Sequence, residues 1–283
     1  MRILLVFIAI LATFGVLYGF AGVLHRSADT VGMLRPVFAV AILIGALATR
    51  RIGLRLYLGV FGLLALISVL LFLLPQAAGS DLRLYSKNLT AGNDQIAALQ
   101  SDIEAANVDV VLLQELSGST AELSTALSTT FPHQHVCKFS EWSAMAVFSR
   151  HPFAQDGVCS SERALAAVQI TKDSQPVWVV SAHIPWPYPY ENETAEIATE
   201  DLLRTLDGPI VVAGDFNTFP WSGRFERIRF ITKTKIAGPT RPTLTFKHVP
   251  LPLDHVLAPN GGSVELRPLL GSDHHGLVAD VSF

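Results

Sequence analysis

The sequence predicts an α/β domain of two packed sheets with helices outside, preceded by about three membrane-spanning helices. Three observations carry this. Half of the 283 residues are hydrophobic, and the apolar excess is concentrated before Pro75. From Leu82 onward, strand-like and helix-like segments alternate. Five polar clusters (Asn88, Gln114-Glu115, His183, Gly214-Asp215-Phe216-Asn217 and Ser272-Asp273-His274) each sit at the end of a strand-like apolar run.

Residues 1–75 read as a helical anchor with spans at about 3–24, 31–49 and 53–74. Ile3–Leu24 runs 22 residues without a formal charge and Leu56–Leu74 runs 19. About 20 such residues cross a bilayer as a helix. The middle span is shorter: Pro36–Thr49 is 14 residues, and extending it to Val31 takes in Arg35. A cleaved signal peptide is the alternative for the first span, although its apolar run exceeds the roughly 7–15 residues of such a segment. Arg50, Arg51 and Arg55 lie between the second and third spans and favour a cytoplasmic loop there. Three spans then begin inside, near Arg2, and deliver the rest of the chain outside the cytoplasm; two would leave it inside. Arg26, Arg35, Arg83 and Lys87 on the other side reduce the contrast. The expectation is a multi-pass protein of the bacterial inner membrane, with the lipid bilayer as partner and an extracytoplasmic domain. Cys137 and Cys159 fall in strand-like segments 22 positions apart. An oxidising compartment would let them pair; two unrelated half-buried thiols are the alternative.

Gln76–Ser80 (QAAGS) supplies a linker, 76–81, and residues 82–283 suit one domain. Within it Leu82–Leu89 reads as a strand, and Asp94–Ala106 as a helix with Asn93 as N-cap. Val108–Leu113 reads as a buried strand and Ser119–Ser128 as a helix. Met145–Ser149, Ala164–Ile170 and Val177–Ala182 read as strands, and Thr194–Leu206 as a helix. Ile210–Ala213, Asp254–Leu257 and Gly276–Val281 complete the strands, with His133–Arg150 strand-rich as a whole.

Each polar cluster has a plain reading and a chemical one. Glu115 directly follows VVLLQ, where a carboxylate is costly unless paired or metal-bound. Its oxygens suit Mg²⁺ or Mn²⁺, while a helix-capping glutamate is the plain reading. Gly214 permits a sharp turn after VVA, so that Asp215 and Asn217 face one site; an Asx-rich turn has the same pattern. A histidine near its ordinary pKa takes a proton from water near neutral pH. His274 and His275 both qualify, and Asp254 is the candidate carboxylate to fix the tautomer. Together the clusters supply what metal-assisted phosphoester hydrolysis needs.

The motifs KN at 87–88, LQE at 113–115, SAH at 181–183, GDFN at 214–217, LDH at 253–255 and SDHH at 272–275 resemble, in order and spacing, the endonuclease/exonuclease/phosphatase superfamily. The resemblance covers about Leu82–Phe283 and implies a four-layered α/β sandwich of two packed, mostly antiparallel sheets flanked by helices. It implies Asn88 and Glu115 as the metal-site pair, Asp273 as an auxiliary metal ligand, and His183 as a phosphate contact. It further implies that Asp215 and Asn217 orient nucleophile and phosphate, and that Asp254 partners the base His274. Thr90 departs from the pattern, since some family nucleases have an acid there.

Of 21 basic and 24 acidic residues, six and one lie before Pro75, so the remainder holds 15 and 23, a net charge of −8. A domain that grips a polyanion usually carries a basic face, so nucleic acid is disfavoured as the main substrate. After His183 comes Ile-Pro-Trp-Pro-Tyr-Pro-Tyr, an aromatic, proline-rich loop suited to a membrane interface, to stacking on a base or sugar, or to packing on its own domain near Trp221. The expected activity is hydrolysis of lipid headgroups or other small phosphoesters at the bilayer. An extracytoplasmic nuclease is the alternative, and a catalytically silent binding module is a third reading.

Overall fold

The computed structural model describes every residue except Glu191, and all side chains except those of Glu191 and Val23. The chain forms two compact units. The first is Met1–Leu74 with the segments Pro187–Glu191 and Thr218–Arg227; the second is Pro75–Trp186, Asn192–Asn217 and Ile228–Phe283.

In the first unit, helices α1 (Arg2–Phe20), α2 (Arg26–Met33), α3 (Arg35–Ala48) and α4 (Ile52–Leu70) follow one another closely. A 3₁₀ turn, Leu71–Leu73, extends α4. Two helices are long and apolar enough to cross a membrane, Arg2–Phe20 and Ile52–Leu73. The expected middle span, 31–49, is instead broken: α2 and α3 meet at a 62° bend. Pro36 explains the break, because proline lacks an N–H and disfavours helical geometry in the residue before it, so a new helix starts there. Counting the bent pair as one span gives three.

The interior of this unit is made of small residues: Ala9, Ala12, Ala39, Ala46 and Ala65, with Val16, Ile42 and Leu58. A Cβ placed on Gly45 would lie 2.1 Å from Ala9 Cβ, so α1 and α3 touch nearly backbone to backbone. Large apolar side chains point outward instead, among them Phe7, Phe14, Leu47, Leu56 and Leu64. Small residues inside and large ones outside is the arrangement of helices solvated by lipid. Asp29 of α2 is buried and accepts from the backbone N–H of Arg224 (2.8 Å), at the N-terminus of helix α5 (Gly223–Thr232).

The second unit is built on strands β1 (Leu82–Asn88), β2 (Val110–Gln114), β3 (His133–Ser140), β4 (Ser143–Ser149), β5 (Val158–Cys159), β6 (Leu165–Lys172), β7 (Gln175–His183) and β8 (Ile210–Asp215). They continue as β9 (Lys235–Gly238), β10 (Leu244–Phe246), β11 (Val249–Leu251), β12 (Asp254–Ala258), β13 (Gly262–Leu266) and β14 (Leu277–Val281). Its helices are Ile96–Ala106, the single turn Leu123–Ala126 and Glu193–Thr205. Helix α5 (Gly223–Thr232) ends in this unit.

Twelve strands form one mixed sheet in the order β3-β4-β2-β1-β14-β13-β9-β12-β8-β7-β6-β5. This modifies the expected pair of separate, mostly antiparallel sheets. Strand β9 pairs with β12 on one side and β13 on the other, and joins the halves. Pairs β1/β2, β7/β8 and β9/β13 are parallel. The halves nevertheless pack on one another: Leu84, Leu112 and Val147 share a core with Val168, Val179, Val211 and Val256. Alternate residues of the same strands (Tyr85, Val111, Phe148) face a second core with Leu99 and Ile103 of the helix Ile96–Ala106. Strands buried on both faces therefore read as continuous apolar runs.

Two helix expectations shift. The helix after Asn93 begins at Ile96, because the Asn93 side chain accepts from Gln95 N (2.9 Å) in a turn ahead of it. Residues 119–128 split into a 3₁₀ turn, Gly118–Glu122, and one α-turn. Ser117 and Thr120 bond reciprocally to each other's backbone there, and such residues favour turns over helix interiors. Cys137 of β3 and Cys159 of β5 form a disulfide.

Replacing Gly45 with leucine is expected to overpack the α1–α3 crossing and cost about 1–3 kcal/mol. Thermal unfolding of the full chain in detergent measures this. An unchanged melting temperature would mean that the helices do not pack as described.

Candidate active site

Strand register brings the polar side chains together. His183 on β7 is directly opposite Asp215 on β8, and Asp215 is opposite Asp254 on β12. Directly opposed residues present side chains to the same face, so these three form a row across neighbouring strands. In the other half, Asn88 ends β1 opposite Gln114, and Glu115 follows immediately. Both Glu115 and Asn217 have left-handed backbones, with φ of 57° and 47°, and so leave their strands abruptly. Gly214 is required where it stands: its φ is 148°, and a Cβ there would lie 1.9 Å from the Ala182 carbonyl oxygen.

The groups converge on one oxygen, Asp215 Oδ2. The side-chain amides of Asn88 and Asn217 each donate to it, both at 3.2 Å. His183 Nε2 lies 3.7 Å from it and His274 Nε2 3.9 Å. The other oxygen, Oδ1, accepts from Asn217 N at 2.8 Å. Asn88 also donates to Glu115 Oε1 (3.2 Å), which sits 3.7 Å from His183 Nε2. Its own side-chain oxygen accepts from Thr90 N (3.0 Å), so in this geometry Asn88 clamps two carboxylates together.

His274 is fixed from behind. Its Nδ1 lies 2.7 Å from Asp254 Oδ2, leaving Nε2 directed at Asp215. His275 turns the other way and bonds the Arg267 carbonyl through Nδ1 (2.7 Å), so His274 is the paired histidine. Asp273 is exposed and bonded to the Thr90 hydroxyl, rather than joining the groups around Asp215.

Three residues that carried no role in the sequence reading support this geometry. Lys87 is fully buried, and its ammonium donates to the carbonyls of His274 (2.7 Å) and Pro268 (3.2 Å), pinning the histidine's loop to β1. Burial lowers its pKa to about 8. The Thr243 hydroxyl accepts from the backbone N–H groups of Leu253 and Asp254 (3.2 and 3.0 Å). Ser272 donates to the Asn88 carbonyl (2.7 Å) and accepts from His274 N (3.0 Å). Lys87 was visible in the motif KN and as a lysine inside a strand, without a role attached; Thr243 lies in a loop with no motif.

Burial dominates the electrostatics and neighbouring charge redirects it. Burial pushes Asp215 up to about 7, against the pull of His274. It lowers His183 to about 4, so that ring is neutral near pH 7 despite Glu115. At His274 burial acts downward, but the Asp254 and Asp215 carboxylates override it and raise the pKa to about 10. At Asp254 burial acts upward, and the charge and hydrogen bond of His274 hold it below its ordinary value.

The donor set fits a hard divalent cation. Ligand atoms of Asp215, Asp254 and His274 lie within 4.8 Å of one another. His274 and Asp254 are already bonded to each other, which leaves Glu115 and Asp215 as the available oxygens. Carboxylate oxygens of buried Asp215 and half-buried Glu115 beside imidazole nitrogens are a donor set that suits such a cation.

A family model described as "Endonuclease/Exonuclease/phosphatase family" matches residues 78–274. Among solved structures, an endonuclease/exonuclease/phosphatase from Beutenbergia cavernae is 21% identical, with 71% of each chain covered and a TM-score of 0.54. Sphingomyelinase C from Streptomyces griseocarneus is 18% identical over 71% of this chain and 99% of that one, at 0.51. A 3′ phosphatase from Neisseria, bound to a product DNA hairpin, is 15% identical over 71% of this chain and 100% of that one, at 0.55. No curated protein matches the chain.

In the cation-free protein the His274 imidazolium is expected to stay protonated between about pH 6 and 8, read by NMR. Its folded pKa lies above the unfolded 6.5. Its stabilisation is therefore complete below the unfolded value and lost as pH rises through about 10. Asp254→Asn should return the titration toward the ordinary imidazole range; an unchanged curve would refute the pairing.

Proposed function

This chain belongs to the endonuclease/exonuclease/phosphatase family, whose members hydrolyse phosphoesters, and we propose that it is a membrane-anchored hydrolase of lipid headgroups or other small phosphoesters. The observation that carries the chemistry is the Asp254–His274 pair aimed at Asp215. A proton at the substrate side of His274 is drawn by two carboxylates, which makes this imidazole a strong base toward water. Asp254 holds Nδ1 protonated, so Nε2 is the atom that accepts. Water deprotonated there attacks phosphorus in line with the leaving oxygen. His183 and Asn217 hold the phosphoryl oxygens, while Asn88 keeps Glu115 and Asp215 in register. A divalent ion, Mg²⁺ or Mn²⁺, held by Glu115 with Asp215 and Asn88, would stabilise charge on the phosphoryl and leaving oxygens; Asp273, bonded to Thr90 outside this group, is not among the ligands proposed.

We read residues 1–75 as the anchor, 76–81 as linker and 82–283 as the catalytic domain. The first unit's small interior and large apolar exterior support a membrane setting. The arginines at 50, 51 and 55 support a multi-pass anchor in a bacterial inner membrane with that loop inside, and the Cys137–Cys159 disulfide supports an extracytoplasmic domain. The domain's charge of −8 supports small or lipid phosphoesters over nucleic acid.

The test is turnover by the full chain in detergent micelles with Mg²⁺ or Mn²⁺, offered mixed phospholipid or plasmid DNA. Lipid is expected to be cleaved, and His274→Ala to lose about 10²–10⁴-fold. Wild-type activity should rise with pH as His274 gives up its proton. Cleavage of DNA alone would overturn the substrate; full activity of His274→Ala would overturn the base.

Trp186, Tyr188 and Tyr190 are 41%, 48% and 61% exposed, which suits an aromatic loop at a bilayer surface. Serine at positions 186 and 188 together should lower turnover of vesicle lipid more than that of a soluble phosphodiester. An equal effect on both substrates would count against an interfacial role.

A further inference from the structure

The helical unit contains a cavity of about 200 Å³, lined by Phe20, Arg35, Phe72, Trp221, Ser222 and Glu226 among others. Arg35 is the anomaly in it. The residue is only 7% exposed, yet among the described residues its partners are a carbonyl and a ring and no carboxylate pairs with it. One of its Nη2 hydrogens goes to the Trp221 carbonyl (3.0 Å), and its guanidinium lies 4.2 Å from the Phe20 ring centroid. Its Nε is buried and finds no partner among the described residues. A guanidinium carries five N–H donors in a fork that matches phosphate oxygens. Burying that charge is costly, and with one carbonyl and one ring face as partners the guanidinium still offers donors that an anion would satisfy.

The surroundings narrow the anion's class. The cavity lies at the C-terminal ends of α1 and α4, where Phe20 and Leu71 are 56% and 58% exposed. Aromatic rings form much of the wall, with Trp221 placed between Phe72 and Phe219. Glu226 is also in the lining, and a carboxylate there repels a free dianion but suits an amine. A group that is anionic at one end, aminated at the other and apolar beyond is a zwitterionic phospholipid.

We propose that this cavity binds the headgroup of a zwitterionic phospholipid, its phosphate on Arg35 and its amine toward Glu226 and the Trp221 ring. The acyl chains lie along the outward apolar faces of α1 and α4. The site is distinct in its residues from the Asp215 constellation, and the inference rests on the reading of the helical unit as membrane-embedded.

The test uses the full chain, extracted in detergent, exchanged repeatedly into fresh detergent, and examined by native mass spectrometry and ³¹P NMR. The wild type is expected to retain one phospholipid per chain, Arg35→Gln at least tenfold less, and Arg35→Lys an intermediate amount. Delipidated wild type should take up phosphatidylethanolamine in preference to phosphatidylglycerol, and excess inorganic phosphate should not displace it. Wild type without bound phospholipid, which needs no variant to establish, overturns the proposal, as does equal retention by a folded Arg35→Gln. Displacement by inorganic phosphate overturns it in favour of a free-anion site, and equal uptake of the two lipids overturns the zwitterionic assignment. Release of the chain from membranes without detergent would sink the membrane reading and this site together. Detergent-dependent extraction with no phospholipid would sink this site alone.

Discussion

Burying the Asp215 carboxylate costs several kcal/mol unless its neighbours compensate, and the arrangement of the site follows from that cost. Two amides donate to Oδ2, one backbone N–H donates to Oδ1, and two imidazole nitrogens stand within 4 Å. These partners come from four separate regions of the chain. Each is also anchored elsewhere, His274 on Asp254 and Asn88 on Glu115 and Thr90, so the cluster is cross-braced rather than hung on one residue. Burial nevertheless holds the Asp215 pKa up, near 7, in the protein alone; on the proposed reading a divalent cation would supply the remaining compensation.

The sheet makes that convergence possible. His183, Asp215 and Asp254 align only because β7, β8 and β12 hold one register, and a slip of one residue would turn a side chain to the opposite face. Asn88 and Glu115 come from the other half of the sheet, and the shared core of Leu112, Val147, Val179 and Val211 holds the halves together. Strand β9 adds hydrogen bonds from one half to the other at the sheet's centre. Packing fixes the separation of the two groups of polar residues, and hydrogen bonding fixes their register.

Most of the residues that the structure brings together in the candidate site were legible because they end apolar runs. Asn88, Glu115, His183 and Asp215 each follow a stretch whose burial pattern is unmistakable, and Asp254 opens one. What escaped were contacts between sequence-distant backbones. Lys87 holds the carbonyl of His274 across 187 positions, and no local pattern encodes such a bond. The residues alone left His274 and His275 open and the family resemblance chose His274; the structure agrees, since His274 pairs with Asp254 while His275 turns to the Arg267 carbonyl. In the fold, strand β9, the hairpin β10-β11 and helix α5 were not foreseen, being short or lacking a strong apolar period. The middle span illustrates the reverse case: its composition is apolar enough, and one proline breaks it.

A domain of net charge −8 is poorly suited to find any anionic phosphoester by diffusion, because its own field repels it. On the membrane reading, the helices remove that difficulty without changing the charge. Tethering replaces electrostatic capture by a fixed local concentration, which can reach the millimolar range for a short linker. The segment read as linker, 76–81, is short, and its end is bonded to the last strand through Gly79 N to Asp280 O and Asp81 N to Val281 O. The acidic surface then acts as a filter: it excludes soluble polyanions, which must approach through bulk water, and leaves headgroups presented by the membrane itself. On that reading anchor and charge act as two parts of one selectivity, and a basic soluble version of the same fold would reverse it.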